Sequence, residues 1–322
     1  FIVCIFYNLK FDNFNKVYTN TDKYIFSKII LDNKLYLIFP VYDKEINVND
    51  FKIELHDIKL SLINEIKKIE NEPIHIFIYK LNEKLDSTDI VTGYFKYNNY
   101  IDNLILYPQF TNQKNDLAIT TLFKDDYYLF PLFYKYYKNQ GVSLFIMYYN
   151  GISDNNIKNL FNYNDVILID WNFRYWNKDV LYKHHAQIGQ LHDALYRYAK
   201  PLSKFIIYCD LDEYLHIPNT KLLNFIQKNP DLDIIEFNNY FSETLDKKIP
   251  DEIPKKIKIG KKYNYTVRSK NIYKTSSIYS INIHFPYKIV DNPKISKDHM
   301  MFHFQSWSNR FPEQLDTIYT LI

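Results

Sequence analysis

The sequence is poor in glycine and cysteine. Its 322 residues include only 5 Gly, so the usual glycine marks of turns are scarce and turns have to be found from Asn, Asp and Pro. The two cysteines, Cys4 and Cys209, are too few for a disulfide framework or a cysteine zinc cluster, and Cys209 lies within an apolar run. We interpret both as reduced thiols and expect a cytoplasmic protein.

The chain also lacks a long apolar run and a basic cluster. No stretch of about 18 apolar residues occurs, so no transmembrane segment is predicted. The opening run FIVCIFYNL, residues 1–9, has no basic lead-in and no small-residue cleavage site, and we interpret it as a strand. The net charge is only +3 and Lys is dispersed among Asp and Asn, which argues against a nucleic-acid partner.

Apolar and aromatic side chains, in contrast, are abundant. Hydrophobic residues make up 47% of the chain and aromatic residues 18%, which excludes a disordered protein. The length exceeds the about 100–200 residues usual for one domain, so we expect one large domain or two unequal ones.

Residues 1–112 predict a small, mostly β module. One helix is predicted within it, over residues 58–70 (IKLSLINEIKKIE). The polar stretch QFTNQKND, residues 109–116, predicts a link, and we place the domain boundary between residues 112 and 113. Strands are predicted at KLYLIFPVY, DFKIELHD, PIHIFIYKL, VTGYFKY and NLILYP.

Residues 113–322 predict a second domain in which strands alternate with helices. This alternation is typical of an α/β fold with a mostly parallel, Rossmann-like sheet and helices on both faces. The strands are apolar throughout, as expected when both faces are buried. The predicted order is strand DLAITTLF, helix YYLFPLFYKYYKNQG, strand VSLFIMYY, helix DNNIKNLFN, strand DVILID, helix DVLYKHHAQIGQLHDALYRYAK and strand KFIIYCDLD.

Acidic residues follow the strands of this second domain. Ligands of such sheets bind outside the carboxyl ends of the strands. For Asp154 and Asp170 taken singly, a helix cap or a loop residue is an equally good interpretation. The residues at the four strand ends are Lys124-Asp125-Asp126, Asp154, Asp170, and Asp210 with Asp212.

Asp210 and Asp212 form the most informative pair. Residues two apart in a strand point to the same face, so the two carboxylates are expected to converge while Leu211 turns into the core. Carboxylates held so close repel each other unless a cation lies between them, and oxygen ligands of this kind suit Mg²⁺ or Mn²⁺ with substrate phosphates. A second DLD, residues 231–233, precedes a predicted strand, and we interpret it as a solvated loop at the opposite edge.

The stretch YCDLDEYL, residues 208–215, resembles the Asp-x-Asp motif of GT-A-fold glycosyltransferases, in the D-x-D-E-[FY] form of glycosyltransferase family 92 and related family-2-like proteins. The resemblance covers residues 116–310 approximately. TTLFKDDYYLFPLFYKYYKNQGVSLFIMYYNGISDNN is similar to the family's opening, AQIGQLHDAL to its helix before the metal strand, and YTVRSKNIYKTSSIYSINIHF and MMFHFQSW to its late strand and terminal histidine.

The resemblance implies a donor site. Asp210 and Asp212 would hold Mn²⁺ or Mg²⁺ on a nucleotide diphosphate, and His303 would be a third metal ligand. Asp126 stands where the family has Glu, and the segment FNNYFSET lacks the family's Gly, so the acceptor side departs from the family pattern. The residues that would line the nucleotide pocket are Lys124, Asp126, Asp154, Gln187 and Asp210.

The expected activity is metal-dependent transfer of a sugar from a nucleotide diphosphate sugar, with a UDP-sugar favoured, to a hydroxyl acceptor with inversion. A divalent ion would stabilise the leaving diphosphate, and a carboxylate would take the acceptor's proton. Glu243 is the first positional choice for this base, ahead of Asp246, since both follow the predicted strand 234–241. Two alternatives stay open, an inactive carbohydrate-binding or scaffold protein on the same fold and a metal-dependent phosphohydrolase, and the acceptor is open among glycans, proteins and lipids.

Overall fold

A computed structural model describes residues 27–42, 46–68, 74–97, 100–177, 183–263, 268–308, 315 and 317–321. The strand predicted at residues 1–9 lies outside these ranges. The described chain is α/β with many strands and few helices, which confirms the predicted class. None of the helices in the described ranges is long and apolar enough to cross a membrane.

The chain divides into two compact units. The first contains the residues up to Asn112 together with Asn150–Ile152 and Ile169–Leu202, and the second contains Gln113–Tyr149, Ser153–Leu168 and Ser203–Ile322. One cut therefore coincides with the predicted boundary between residues 112 and 113. Residues 169–202, however, which the sequence placed in the second domain, belong to the first unit.

The N-terminal part of the first unit is built from β-strands. The strands are β1 Ser27–Leu31, β2 Lys34–Phe39, β3 Val41–Tyr42, β4 Phe51–Leu55, β5 Leu60–Lys68, β6 Ile74–Leu81, β7 Val91–Tyr97, β8 Tyr100–Leu106 and β9 Pro108–Gln109. One sheet has the order β5-β6-β2-β1-β9 and another the order β4-β7-β8. Apolar side chains from both, including Leu37, Phe77 and Phe95, share one hydrophobic core. A strand lies in each of the five predicted segments.

The predicted helix over residues 58–70 is wrong. Within this segment Leu60–Lys68 form β5, which pairs antiparallel with β6, and residues 69 and 70 lie outside the described ranges. A register shift between Leu62 and Asn64 interrupts the pairing, and it leaves the side chains of Leu62 and Ile63 both exposed, at 42% and 49%. The two adjacent apolar residues disguise the period-2 pattern of a strand, and cross-strand pairing overrides the local helical preference.

The remaining elements follow from residue 115 onward. They are β10 Asn115–Phe123, α1 Phe130–Asn139, β11 Leu144–Tyr149, α2 Asn155–Leu160, β12 Val166–Asp170, β13 Trp176–Asn177, β14 Lys183–His185, α3 Ala186–Asp193, β15 Ser203–Tyr208, β16 Glu213–His216, α4 Leu222–Lys228, β17 Ile234–Thr244, β18 Lys256–Tyr263, β19 Lys270–Lys274, β20 Ile278–Ile281, β21 Pro286–Ile289, β22 Ile295–His303 and β23 Thr317–Thr320. A π-helical segment, Ala194–Ala199, and a short turn of helix, Lys200–Leu202, follow α3.

The large sheet is mixed, which corrects the expectation of a mostly parallel one. Its order is β12-β11-β10-β15-β19-β17-β18-β23, with β22 beside β17 and β16. β10 is parallel to β11 and β15, whereas β19 is antiparallel to both β15 and β17. Parallel neighbours need long crossovers, usually helical. The described residues between β17 and β22 contain no helix, and most strands there pair antiparallel.

The helix α1 packs its apolar side into the core of the second unit, and a glycine, Gly141, follows its C-terminal end. Phe130, Phe133 and Tyr137 are buried in that core. Gly141 has φ +96°, and a Cβ there would lie 2.4 Å from Cβ of Leu223, so both the backbone angle and the space require glycine. Gly141 thus lies where α1 and α4 approach each other closely.

The helix α3 is shorter than predicted. The sequence predicts one helix over residues 179–200, but α3 begins at Ala186, after the strand β14, and residues 178–182 lie outside the described ranges. His185 caps it, since its Nδ1 accepts from Ile188 N at 3.3 Å. The helix is buried on all sides, and its last residue, Asp193, forms an ion pair with Arg197 of the following π-helical segment at 2.9 Å.

Candidate active site

The two predicted acids lie on a turn that follows β15. The strand ends at Tyr208, and Glu213 N donates to Asp210 O at 3.1 Å, closing a turn over residues 210–213. We call these residues the acid turn. Leu211 is fully buried in the core, as expected, but Asp210 and Asp212 are not strand residues, so the predicted strand alternation is not what orients them.

A buried lysine neutralises one side of the acid turn. Nζ of Lys270 lies 3.1 Å from Asp210 Oδ2 and 3.0 Å from Glu213 Oε2, and its side chain is 3% exposed. Burial alone would lower the pKa of Lys270, but the charges of Asp210 and Glu213 outweigh it and raise that pKa. Burial raises the pKa of Glu213, against the opposing charge of Lys270.

His303 lies on the other side of the acid turn. It is the last residue of β22, which pairs antiparallel with β16, so that His303 stands opposite Glu213. Its Nε2 lies 3.5 Å from Asp212 Oδ2 and its Nδ1 3.8 Å from Glu213 Oε1, while Phe304 N donates to Asp212 O at 2.9 Å. Burial opposes protonation, but the adjacent carboxylates, Asp212 first, raise the pKa of His303.

Asp126 approaches the same acids from the loop after β10. Burial, together with the charges of Asp212 and Asp210, raises the pKa of Asp126. Lys124 N donates to Asp126 Oδ1 at 3.2 Å, which holds the loop, and the Lys124 side chain is exposed. The structure therefore brings Asp126, Asp210 and Asp212 together, although they come from two different strand ends.

An aromatic pair that the sequence did not single out stands beside these acids. Tyr127 and Tyr128 are 38% and 44% exposed, and their rings meet edge to face at 6.4 Å. Tyr128 donates its hydroxyl to Trp307 O at 2.5 Å, which fixes the ring. Burial and the charges of Asp126 and Asp212 raise the pKa of Tyr128, so an anchored and exposed aromatic ring lies near the carboxylates.

Glu243, the predicted base, lies inside a strand and not after one. β17 runs to Thr244, three residues beyond the predicted end, so Glu243 is 7% exposed and pairs across the sheet with Lys258. Phe241, two residues earlier, has its ring 5.3 Å from that of His303. The position is therefore one strand away from the acid turn.

Asp154 and Gln187 have other contacts. Oδ1 of Asp154 accepts from Ile157 N at 2.9 Å and so caps α2, and a helix cap was one of the two interpretations that the sequence left open. Gln187 lies in the first unit, on α3, where its Oε1 accepts the hydroxyl of Tyr175 at 2.6 Å. Their nucleotide-binding roles stay predictions.

The predicted metal ligands fit a divalent ion in part. In the described part of the chain, no group of three or more His, Cys, Asp and Glu side chains is arranged to hold a metal ion. Asp212 and His303 are adjacent, and neither ring nitrogen of His303 has a hydrogen-bond partner, although the ring is 4% exposed. Oδ2 of Asp210 is turned to Lys270. The carboxylate oxygens suit Mn²⁺ or Mg²⁺, whereas an imidazole nitrogen is a donor that zinc, copper, iron and nickel prefer.

The second DLD is partly structural. Asp231 is solvated, with a 79% exposed side chain 3.3 Å from Lys294. Asp233 immediately precedes β17 and accepts from Ser277 Oγ at 2.5 Å and from Lys294 N at 2.9 Å. The interpretation as a solvated loop thus fits Asp231 and is wrong for Asp233, whose carboxylate holds two segments together.

Sequence reasoning gave no role to Lys270, Glu213 or Tyr128. Glu213 was visible as the acid after the Asp-x-Asp motif, and Lys270 stands in the quoted stretch YTVRSKNIYK. The signal that would have found them is tertiary, since Lys270 is 60 residues from Asp210.

Comparison with known proteins supplies the family. A family model described as glycosyltransferase family 92 matches residues 118–319, which is more than half of the chain and includes the acid turn, Asp126, Glu243 and His303. A search of the curated proteins gives no match. The family match confirms the resemblance drawn from the sequence.

Proposed function

The chain belongs to glycosyltransferase family 92, and from this we propose that it is a metal-dependent glycosyltransferase with a GT-A core. It would move a sugar from a nucleotide diphosphate sugar, a UDP-sugar in the first instance, to a hydroxyl acceptor with inversion. Membership of the family implies a sugar donor and an acceptor. The expected cytoplasmic location stays a prediction.

The observation that carries the proposal is the acid turn at the carboxyl end of β15. β15 is parallel to β10, so the loops that follow both strands lie at one edge of the sheet, where ligands of such sheets bind. Asp126 from one loop and Asp210 and Asp212 from the other meet there, and burial together with the charges of Asp212 and Asp210 raises the pKa of Asp126. A cation bound with a diphosphate would relieve that repulsion.

In the proposed donor complex, Asp212 and His303 would hold Mn²⁺ or Mg²⁺, with Asp210 as the third ligand. When bound, the ion would supply Lewis-acid stabilisation of the charge that develops on the departing diphosphate. Binding it would require a neutral imidazole at His303, whereas the adjacent Asp212 raises the pKa of that ring, so the affinity for the ion should depend on pH.

The ring of Tyr128 would provide a face for the base or the sugar of the donor. Its hydroxyl bond to Trp307 O holds the ring while 44% of the residue stays exposed. Nucleotide bases stack on the faces of aromatic side chains. Lys124, exposed in the same loop, would approach the phosphates as a point charge.

Glu243 is the proposed base. In an inverting reaction the base has to reach the face of the sugar that is opposite the leaving diphosphate. Glu243 lies on β17, the strand beside β22, which ends in His303. This role rests on position alone.

The test is turnover of nucleotide sugars with and without Mn²⁺. We expect slow hydrolysis of one donor, or transfer when an acceptor is present, which disappears in chelator and returns with Mn²⁺ or Mg²⁺. Donor binding without any turnover would favour an inactive binding protein. Hydrolysis of simple phosphoesters in place of nucleotide sugars would favour a phosphohydrolase and overturn the proposal.

A further inference from the structure

Lys270 bridges the first and last residues of the acid turn, Asp210 and Glu213. Its Nζ bridges Asp210 Oδ2 at 3.1 Å and Glu213 Oε2 at 3.0 Å. The same Glu213 Oε2 also accepts from Asp210 N at 2.8 Å. Asp210 is therefore tied to Glu213 three times. Its amide donates to Glu213 Oε2, its carbonyl oxygen accepts from Glu213 N at 3.1 Å, and the ammonium group of Lys270 bridges the two carboxylates. These bonds span the first and last residues of the turn.

Stability alone is a poor reason for this arrangement. Lys270 and Glu213 have side chains only 3% exposed, and a buried ion pair is often no more stabilising than apolar residues of the same size. The pair instead fixes the shape of a turn whose third residue, Asp212, faces His303. Groups that orient metal ligands in this way usually matter for the metal as much as for the fold.

We propose that Lys270 is a positioning residue, which holds Asp210 and Glu213 so that the acid turn presents Asp212 to a divalent cation. The inference rests on the proposed function for its cation, while the effect on the shape of the turn does not depend on the cation. Lys270 itself would contact neither the metal nor the sugar.

Two accounts of Lys270 predict opposite results for Lys270→Met. If the lysine acts only through its charge, its removal leaves the site more negative, and Mn²⁺ should bind more tightly. If it positions the turn, the repelling carboxylates of Asp210 and Glu213 move apart, and Mn²⁺ should bind less tightly. Lys270→Arg, which keeps the charge and the donors, should retain more of the affinity than Lys270→Met.

The experiment measures Mn²⁺ binding to the full chain by calorimetry and amide exchange at residues 210–213 without metal. For Lys270→Met we expect about 10–100-fold weaker Mn²⁺ binding, as is usual when an orienting group is lost, together with faster exchange at these amides. Unchanged exchange with equal or tighter Mn²⁺ binding would overturn the proposal. If the unaltered chain binds no Mn²⁺, the metal part of the proposed function fails, and amide exchange alone decides the role of Lys270.

A double variant separates positioning from folding. Lys270→Met leaves Glu213 buried without its cation, which by itself can unfold the chain. Lys270→Met combined with Glu213→Gln removes both charges, so we expect the thermal stability to recover. The Mn²⁺ affinity should stay about tenfold or more below that of the unaltered chain. Recovery of both would show that Lys270 only compensates the charge of Glu213, and would refute positioning.

Discussion

Replacement of Asp212 by Asn tests the centre of the proposed site. The change keeps the shape of the side chain and removes its charge. Asp212 is 1% exposed and its Oδ2 lies 3.5 Å from His303 Nε2, so solvent screens this charge little. At an effective dielectric constant of about 20, a unit charge at this separation interacts with another by about 5 kcal/mol before desolvation is subtracted.

The proposed role needs only part of that energy. A loss of about 2.7 kcal/mol of transition-state stabilisation corresponds to about 100-fold in rate. We therefore expect Asp212→Asn to reduce Mn²⁺-dependent turnover of a nucleotide sugar by about 100-fold or more. Because Asp212 is the first of the charges that raise the pKa of His303, the variant should also lower that pKa, which NMR titration of the ring can measure.

Asp231→Asn is the matched control. Asp231 belongs to the second DLD triplet, residues 231–233, and its side chain is 79% exposed and pairs with the exposed Lys294. Surface pairs of this kind contribute about 0–1 kcal/mol to stability, so the rate should not change. Asp233 is a poorer control, because its carboxylate accepts two hydrogen bonds. Equal effects of Asp212→Asn and Asp231→Asn, or full activity in chelator, would refute the assignment of the acid turn.

Further predictions concern the ligand, the base, the units and the pH. His303→Ala should weaken Mn²⁺-dependent nucleotide binding, measured by calorimetry; a loss of thermal stability alone would make His303 a core residue. Glu243→Gln should slow transfer by about 100-fold or more with donor affinity unchanged, and an unaffected rate would exclude it as the base. The fragment 113–322 should be less stable than the whole chain in thermal unfolding, because residues 169–202 belong to the first unit; equal stability would contradict this. Burial lowers the pKa of His192 to about 4, so as the pH falls this imidazole is protonated in the unfolded chain before it is protonated in the folded one. The stability of the fold should therefore decrease as the pH drops below about 6.5. The variant His192→Gln should show a smaller decrease in thermal unfolding, and an identical pH profile would contradict the argument.

Some of this site follows from local sequence. The apolar run Phe205-Ile206-Ile207-Tyr208 predicts a buried strand, and this strand is β15. The acids after the run predict a polar edge of the sheet, and they lie in the acid turn that follows β15. The cap at Asp154 is also local, since its partner is three residues away. The strand β5, in contrast, was predicted as a helix. Its own residues also fit a helical pattern, and pairing with β6 decides its conformation.

The sequence by itself determined the buried strand β15 and the acids that follow it, because burial and turn preferences act over a few residues. Only the tertiary structure decided what those acids meet. Lys270 reaches Asp210 because β19 lies beside β15, and His303 reaches Asp212 because β22 lies beside β16. These neighbours are 60 residues or more away in the chain, and the order of strands in a sheet is set by the packing of the whole unit, which no local pattern records.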